Sequence, residues 1–528
     1  MKKSTVLCVL FFIIQSATVY CQPKFMNLCT IKKNTWLFDV EQCNDGGYCF
    51  LTQTSDSVYG TLIDYALTKT DSFGNIESIK RLNVPNFSGW LAFRKMKNDF
   101  LIGCQTIFNK TNTSDNILLT KIDQNTNILW SKMYSTMGVG IWNIYPAKNN
   151  GCILIGFTNY GHAGGDEDIV AFNIDSLGNM KWGMNYGTKM SENMYSAVQL
   201  NDGGFIISGG TNFRDSMNSD ILLTRIDSMG NIKWNKIVYG SGSEQGTSVN
   251  IDSSGTRVFV SGSTNSFGAG MDDFFLFECD INGNIVWSKT YGNSTENYAG
   301  SMLWNSGVML SNNKFLLKGY TNTLNNAWDI LLIETDLHGN VNWSNTYGGP
   351  GNEFMSNVRE TSQHGLIMCA STQSYNGSLI ISMDSLGEVG CNQYSFLTTV
   401  NNAPFKVIDT TLLQFSIGAT IDTSFTFTNL TGISKSVCTP NNINELNNGL
   451  SFDIYPNPAT TSLTVRTSQS NPVQISLRNM LGQTVSSSEP SVSSAYSIDV
   501  GDLPKALYIV EVRNIVTGAV GRQKIIVE

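Results

Sequence analysis

The chain predicts an all-β fold: a seven-bladed β-propeller followed by a small antiparallel, Ig-like β-sandwich. Three observations carry that expectation. An Asp-x-x-Gly turn recurs with its aspartate at Asp71, Asp123, Asp175, Asp227, Asp280, Asp336 and Asp384, at steps of 52, 52, 52, 53, 56 and 48 residues. Seven apolar segments match those turns: GYCFLTQT, FLIGCQT, GCILIGFT, FIISGGT, VFVSGST, FLLKGYT and LIMCAST. Alternation of polar and apolar residues with a period of two is clear in the last strand of each unit and partial in the third, and no unit shows a helical pattern. A repeat of this length built from strands is one propeller blade.

The turn explains its own residues. Asp-x-x-Gly suits a type I turn followed by a residue at positive φ, which glycine tolerates best. Gly74, Gly178, Gly230, Gly283, Gly339 and Gly387 fill that position, and Thr126 is the exception. Seven residues after the aspartate stand Trp130, Trp182, Trp234, Trp287 and Trp343, with Ser78 and Cys391 in the first and last units. Large rings at a fixed place in each blade are expected to pack between blades. Departures in the terminal units are expected where neighbours differ.

In chain order, residues 1–21 are expected to be a signal peptide. Lys2 and Lys3 precede an apolar core, Val6 to Ile14, and small residues lead to Cys21, making Gln22 the first mature residue. That core is too short to span a bilayer. A lipid anchor on Cys21 is the alternative, opposed by the bulky Tyr20. Residues 22–35 are a lead-in, a possible edge strand for closing the ring, and the propeller is expected over 36–396. At 397–440 the repeat stops in a Thr- and Asn-rich, β-prone extension that could add strands to the last blade. Residues 441–449 are a polar linker, and 450–528 form the sandwich.

Composition excludes some classes. Only 14% of the 528 residues are charged and the net charge is −8, with a pI near 5.1 and mean hydropathy −0.09. A nucleic-acid partner, which demands a basic footprint, is not expected, and neither is a transmembrane span. Among the cysteines, Cys104, Cys152 and Cys369 lie in apolar second strands and are expected to be buried thiols. Cys391 and Cys438 flank the non-repeating extension and are the leading disulfide candidates; Cys29 with Cys43 is a second pairing.

Chemistry is harder to find. The chain has three histidines, His162, His338 and His364. No Gly-x-Ser-x-Gly elbow and no phosphate-binding loop occurs. Just before the third strand of each unit stand Asp64, Asn116, Asp168, Asp220, Asp273, Asp329 and Gly377, and the D–A loops add Glu192, Glu244, Glu296 and Glu353. In an A-B-C-D blade these loops share one face, so the carboxylates predict an acidic ring. Asp168, Asp220, Asp273 and Asp329 are its leading members. They either accept backbone N–H groups in their own loops or hold calcium, which wants clustered oxygens. No other cofactor is expected.

Two resemblances add to these readings. The segments LSFDIYPNPATTSLTV, QISLRNMLGQTV, DVGDLPKALYIVEV and QKIIVE resemble the C-terminal sorting domain of the Bacteroidetes type IX secretion system. Tyr455-Pro456-Asn457-Pro458, the Leu481-Gly482 turn and the Leu503-to-Tyr508 segment carry the likeness, with Ala506 where the family usually has glycine. It implies export across the outer membrane, with the secretion machinery as partner and the outer cell surface or the medium as destination. The repeats, in TNSFGAGMDDFFLF and NGNIVWSKTYG, resemble large secreted Bacteroidetes propeller proteins. The function expected is binding or adhesion to a glycan or protein at the cell surface, without catalysis. The alternative is a secreted polysaccharide- or peptide-degrading enzyme with its site on the propeller face.

Overall fold

The computed structural model describes residues 23–30, 34–55, 63–82, 87–107, 115–136, 138–158, 167–215, 218–294, 297–299, 305–322, 327–375, 377–417, 419–422, 427–430, 433–438, 452–467, 470–479, 484–516 and 520–527. The expected signal peptide and linker lie outside them. No described helix is long and apolar enough to cross a membrane. The chain divides into two compact units, 1–438 and 439–528.

The turn chemistry operates as its residues require. In blade four the N–H groups of Met229 and Asn231 donate to Asp227 Oδ1 at 2.9 Å, and Gly230 N–H donates to the Asp227 carbonyl at 3.0 Å. Gly230 sits at φ 85°, and Thr126, in the corresponding place of blade two, still takes φ 64°. Three donors that a tight turn would otherwise leave unpaired are thus satisfied within five residues.

Each blade is an antiparallel sheet in the order A-B-C-D. Blade four shows it as Glu192–Gln199, Phe205–Asp215, Asn218–Ile226 and Ile232–Tyr239. Blade six has its A strand in two pieces, Asn297–Ala299 and Gly307–Met309, both paired with Lys314–Thr321, in the unit whose step is longest. The core lies between blades. Ile153, Ile155, Ile169 and Ala171 of blade three meet Phe205, Ile207 and Leu222 of blade four. Side chains on both faces of every sheet are buried in this way, which is why the B and C strands read as continuous apolar runs.

The tryptophans pack between blades as expected. Trp182 donates from Nε1 to the Ser228 carbonyl at 2.9 Å, and Trp130 and Trp234 reach the Ser176 and Ile281 carbonyls at 3.3 and 3.2 Å. A methyl group at Gly178 would stand 3.0 Å from Trp130, and one at Gly387 would stand 2.6 Å from Trp343. The turn glycine therefore serves twice, for its φ and as the surface on which the preceding blade's indole rests.

Closure of the ring is the first point settled by tertiary structure. The D strand of blade seven is Phe25–Thr30, from the lead-in, paired antiparallel with Gly377–Met383 at Leu28↔Leu379. Phe25 and Asn27 replace the missing tryptophan. A methyl on Gly74 would stand 2.6 Å from Phe25, and Asn27 Nδ2 donates to the Phe73 carbonyl at 2.9 Å. Cys391 occupies the tryptophan position of the last repeat because the chain has already left that blade.

The extension corrects the sequence reading. It does not enlarge the last blade alone; it circles the propeller against the order of the blades. Gln393–Ser395 pairs with the D strand of blade six, Thr399–Asn402 with five, Lys406–Asp409 with four and Leu413–Ser416 with three. Thr420–Asp422 pairs with two, Phe427–Leu430 with one, and Ile433–Cys438 with Phe25–Thr30 of seven. Every blade thereby gains a fifth strand that covers its open outer edge, the usual site of unwanted strand pairing. The stride is seven residues. Phe396, Ala403, Thr410 and Ile417 donate their N–H groups to the carbonyls of Ser344, Ser288, Asn235 and Gly183 of successive D strands.

Cys104, Cys152 and Cys369 are buried free thiols, as expected. The pairing of Cys29 with Cys43 is wrong. Both are free, and Cys43 Sγ instead lies 3.0 Å from Cys49 Sγ. Cys391 is disulfide-bonded.

The second unit is a sandwich of a three-stranded sheet (Phe452–Tyr455, Ser462–Thr467, Ala495–Asp499) and a four-stranded sheet. In the latter, Thr484–Ser487, Val473–Asn479, Ala506–Asn514 and Val520–Val527 follow one another. Leu463, Val465, Ile475, Leu477, Val510, Val512 and Ile525 fill the space between.

Candidate functional site

Strand C of each blade begins where a B–C loop ends, and strand A begins where a D–A loop ends. The predicted acidic ring is built at that junction. Asp168, Asp220, Asp273 and Asp329 stand opposite Thr158, Thr211, Thr264 and Thr321 of the B strands. All four aspartates are buried, none more than 1% exposed. They do not form an open ring. Each faces the start of the next blade, where Glu192, Glu244, Asn297 and Glu353 stand, also buried; the expected Glu296 lies outside the described residues.

The glutamates brace the D–A loops. Glu192 accepts from Thr188 N–H at 2.9 Å, and Glu244 accepts from Gly240 N–H at 2.6 Å and Thr264 Oγ1 at 3.0 Å. Glu353 accepts from Gly349 N–H at 3.0 Å and Thr372 Oγ1 at 2.8 Å. The aspartates differ from blade to blade. Asp220 takes both arms of Arg214, at 2.8 and 3.0 Å, and that guanidinium lies 3.6 Å over the Tyr239 ring. Asp273 accepts the N–H groups of Ala269 and Gly270. Asp329 has a buried Oδ2 with no hydrogen-bond partner. Burial first, and the Glu353 carboxylate second, push its carboxyl up to about 7. Burial likewise raises Glu192, Glu244 and Asp273.

Among the described residues, no three His, Cys, Asp or Glu side chains gather as a metal-holding group. Asp168, Asp220 and Asp329 each meet one glutamate, and Asp273 meets Asn297. Two carboxyls beside threonine hydroxyls supply fewer oxygens than the six to eight that calcium takes.

A second polar centre, which sequence reasoning missed, lies where the A strands meet. Asp39 accepts from Arg359 Nη2 at 3.1 Å and Asn357 Nδ2 at 2.8 Å, and is bonded by Arg94, which also holds Asn143. Lys318 Nζ donates to Asn357 Oδ1 at 2.7 Å, and burial holds its ammonium well below the usual lysine range. Asp39, Asn143 and Asn357 lie just after matched irregularities in the A strands, at Leu37/Asp39, Ile141/Asn143 and Met355/Asn357, while Lys318 comes from the B strand of blade six. The common signal is an aspartate or asparagine at one place in these three A strands.

In the second unit, Asn457 ties the Tyr-Pro-Asn-Pro segment to the last strand. Its Nδ2 donates to the Lys524 carbonyl at 3.0 Å, and its Oδ1 accepts from Ile526 N–H at 2.9 Å. Tyr455-Pro456 and Asn457-Pro458 are cis peptides, and Tyr455 lies under the Arg466 guanidinium at 4.9 Å. The buried Tyr508 donates to the Pro504 carbonyl at 2.9 Å. Gly482 lies outside the described residues. Residues 453–528 match the family described as "Secretion system C-terminal sorting domain". This unit is a type IX sorting domain. The sorting domain addresses the chain to the cell surface or beyond it.

No curated protein matches the chain. Among solved structures, an α-L-arabinanase of Penicillium chrysogenum is similar at 10% identity and TM-score 0.39, over 69% of this chain and 98% of that one. A puromycin hydrolase is similar at 11% identity and TM-score 0.40, over 69% of this chain and 54% of its own. PorZ, a surface component of the type IX secretion system of Porphyromonas gingivalis, is similar at 10% identity and TM-score 0.27, over 92% of this chain and 69% of that one. What those proteins act on belongs to them.

Proposed function

We propose that the propeller is a non-catalytic binding or adhesion module displayed at the cell surface. One observation supports it above others: a single buried strut position carries loops of different chemistry. Asp220 anchors an arginine stacked on tyrosine, Asp273 anchors a glycine-rich turn, and Asp329 meets a glutamate. Loops that vary over a constant scaffold are how repeat proteins place binding surfaces. The hydrolase alternative would use Asp329, whose raised proton affinity suits acid–base work, beside Glu353, but each is only 1% exposed. The test is a glycan and matrix-protein array probed with the secreted chain, with product release followed in parallel. Retention without product is the expected result. Time-dependent release of sugar or peptide, lost in Asp329→Asn, would overturn it in favour of the enzyme.

A further inference from the structure

On the end of the propeller opposite those loops, the A–B and C–D turns of blades three and four enclose a groove of about 700 Å³. That volume falls in the usual range of small-ligand sites. It lies at one of two departures from the repeat, the other being Ser382 of blade seven, whose hydroxyl donates to the Pro23 carbonyl at 2.6 Å. Two residues before the turn aspartate, strand C carries a side chain locked in an ion pair in five blades: Lys69 with Asp45 at 2.6 Å, Lys121 with Asp99 at 3.1 Å, Arg225 with Asp202 at 2.8 Å, Glu278 with Arg257 and Glu334 with Lys314, both at 2.7 Å. In blade three the same place holds Asn173, which has no such partner. Its Oδ1 is buried and accepts no hydrogen bond, while the residue lines the groove.

The walls have a definite chemistry. Lys148 and Lys181 are both exposed at the rim. Lys148 Nζ donates to the neutral Asn201 Oδ1 at 2.5 Å, and Lys181 has no ion pair among the described residues. The one lining carboxylate, Asp202, is already matched by Arg225. Trp182, 9% exposed and with its Nε1 occupied by Ser228, opens only a small apolar part of its ring to the groove, and Met229 stands beside it 63% exposed. Two uncompensated ammonium groups, amide side chains, an unmet acceptor and an apolar wall together fit hydroxyl-rich rings that carry carboxylates.

We infer that this groove binds a short segment of a uronic-acid-containing polysaccharide, with Lys148 and Lys181 on its carboxylates and Asn173 Oδ1 accepting a sugar hydroxyl. The inference rests on the binding-module reading and names its ligand class.

The test titrates oligogalacturonate trimers, and neutral galactose trimers as control, into the secreted chain by calorimetry at low and physiological salt. Saturable binding of the acidic trimer is expected, weakening as salt rises, with none of the neutral one. Lys148→Ala/Lys181→Ala, which removes only exposed side chains, should weaken it at least tenfold. Asn173→Leu should weaken it several-fold without lowering the melting temperature. Absence of acidic-trimer binding at millimolar concentration, or binding unchanged in the double lysine variant, overturns the groove assignment. If that variant still adheres to cells or to another array ligand, the binding module stands without this groove. If the acidic trimer is bound and cleaved, the groove stands and the non-catalytic reading falls.

Discussion

The hydroxyl of Tyr186, in the last strand of blade three, donates to the carbonyl of Gly230, in the turn of blade four, at 2.7 Å. Tyr134, Tyr291 and Tyr347 do the same to Gly178, Gly339 and Gly387 at 2.7, 2.8 and 2.5 Å. Tryptophan and tyrosine four residues apart on one strand thus grip a single turn of the next blade. Blade four lacks the tyrosine and has Val238 there. Tyr186→Phe should therefore be tolerated but costly, by about 1–2 kcal/mol in denaturant titration, because a buried carbonyl loses its donor. Trp234→Ala, at the interface with blade five where no tyrosine backs the indole, should cost about 3–5 kcal/mol. A loss within about 0.5 kcal/mol would mean that the ring is not an interface element.

Asp329 provides the pH dependence. Its folded carboxyl titrates at about 7, above an unfolded value of about 4. The protonated form is thus favoured by folding, so its contribution is complete below about pH 4 and is lost as pH rises through about 7. Asp329→Asn should match the parent chain at pH 4 and exceed it at pH 8 by about 1–2 kcal/mol. Melting curves at both pH values read this directly. Calcium and chelator should give the same melting temperature, and a calcium-dependent rise would restore the metal reading of the four aspartates.

The circling extension yields a covalent prediction. Cys391, at its start, is disulfide-bonded. Cys438, at its end, pairs in register with Met26, whose sulfur accepts from Asn392 Nδ2 at 3.8 Å. We expect Cys391 and Cys438 to be the bonded pair, closing the extension into a ring around all seven blades. Non-reducing peptide mapping should recover that pair. Cys391→Ser should lower stability by up to about 4 kcal/mol, the chain-entropy value for a loop of roughly 50 residues. A different partner in the map would leave the extension open-ended.

For the sorting domain, Asn457→Leu removes two hydrogen bonds to the terminal strand and should cost about 1–3 kcal/mol. Surface display should fall with it, and deletion of residues 524–528, the end of that strand, should retain the protein in the periplasm. Fractionation and surface labelling measure both. Normal display of the truncated chain would separate export from the integrity of this sheet.

What the sequence by itself determined was local. The Asp-x-x-Gly turns, the interblade tryptophans and the Tyr-Pro-Asn-Pro segment of the sorting domain were legible because each is fixed by backbone angles and hydrogen bonds within a few residues. Asp227 needs only Met229, Gly230 and Asn231 to explain it. Only the tertiary structure decided that Phe25–Thr30 completes blade seven, that residues 393–438 run backwards around the ring, and that the acidic positions face inward as struts. Phe396, Ala403, Thr410 and Ile417 did carry a seven-residue period. It stayed unreadable because the partner of each N–H lies in a different blade, from about 50 to more than 200 residues away in sequence. An open strand edge accepts any backbone, so pairing there is selected by which chain can reach it, and that is a property of the closed ring. Asn173 is the converse case. Nothing in a lone asparagine marks a binding site until five other blades show an ion pair in its place.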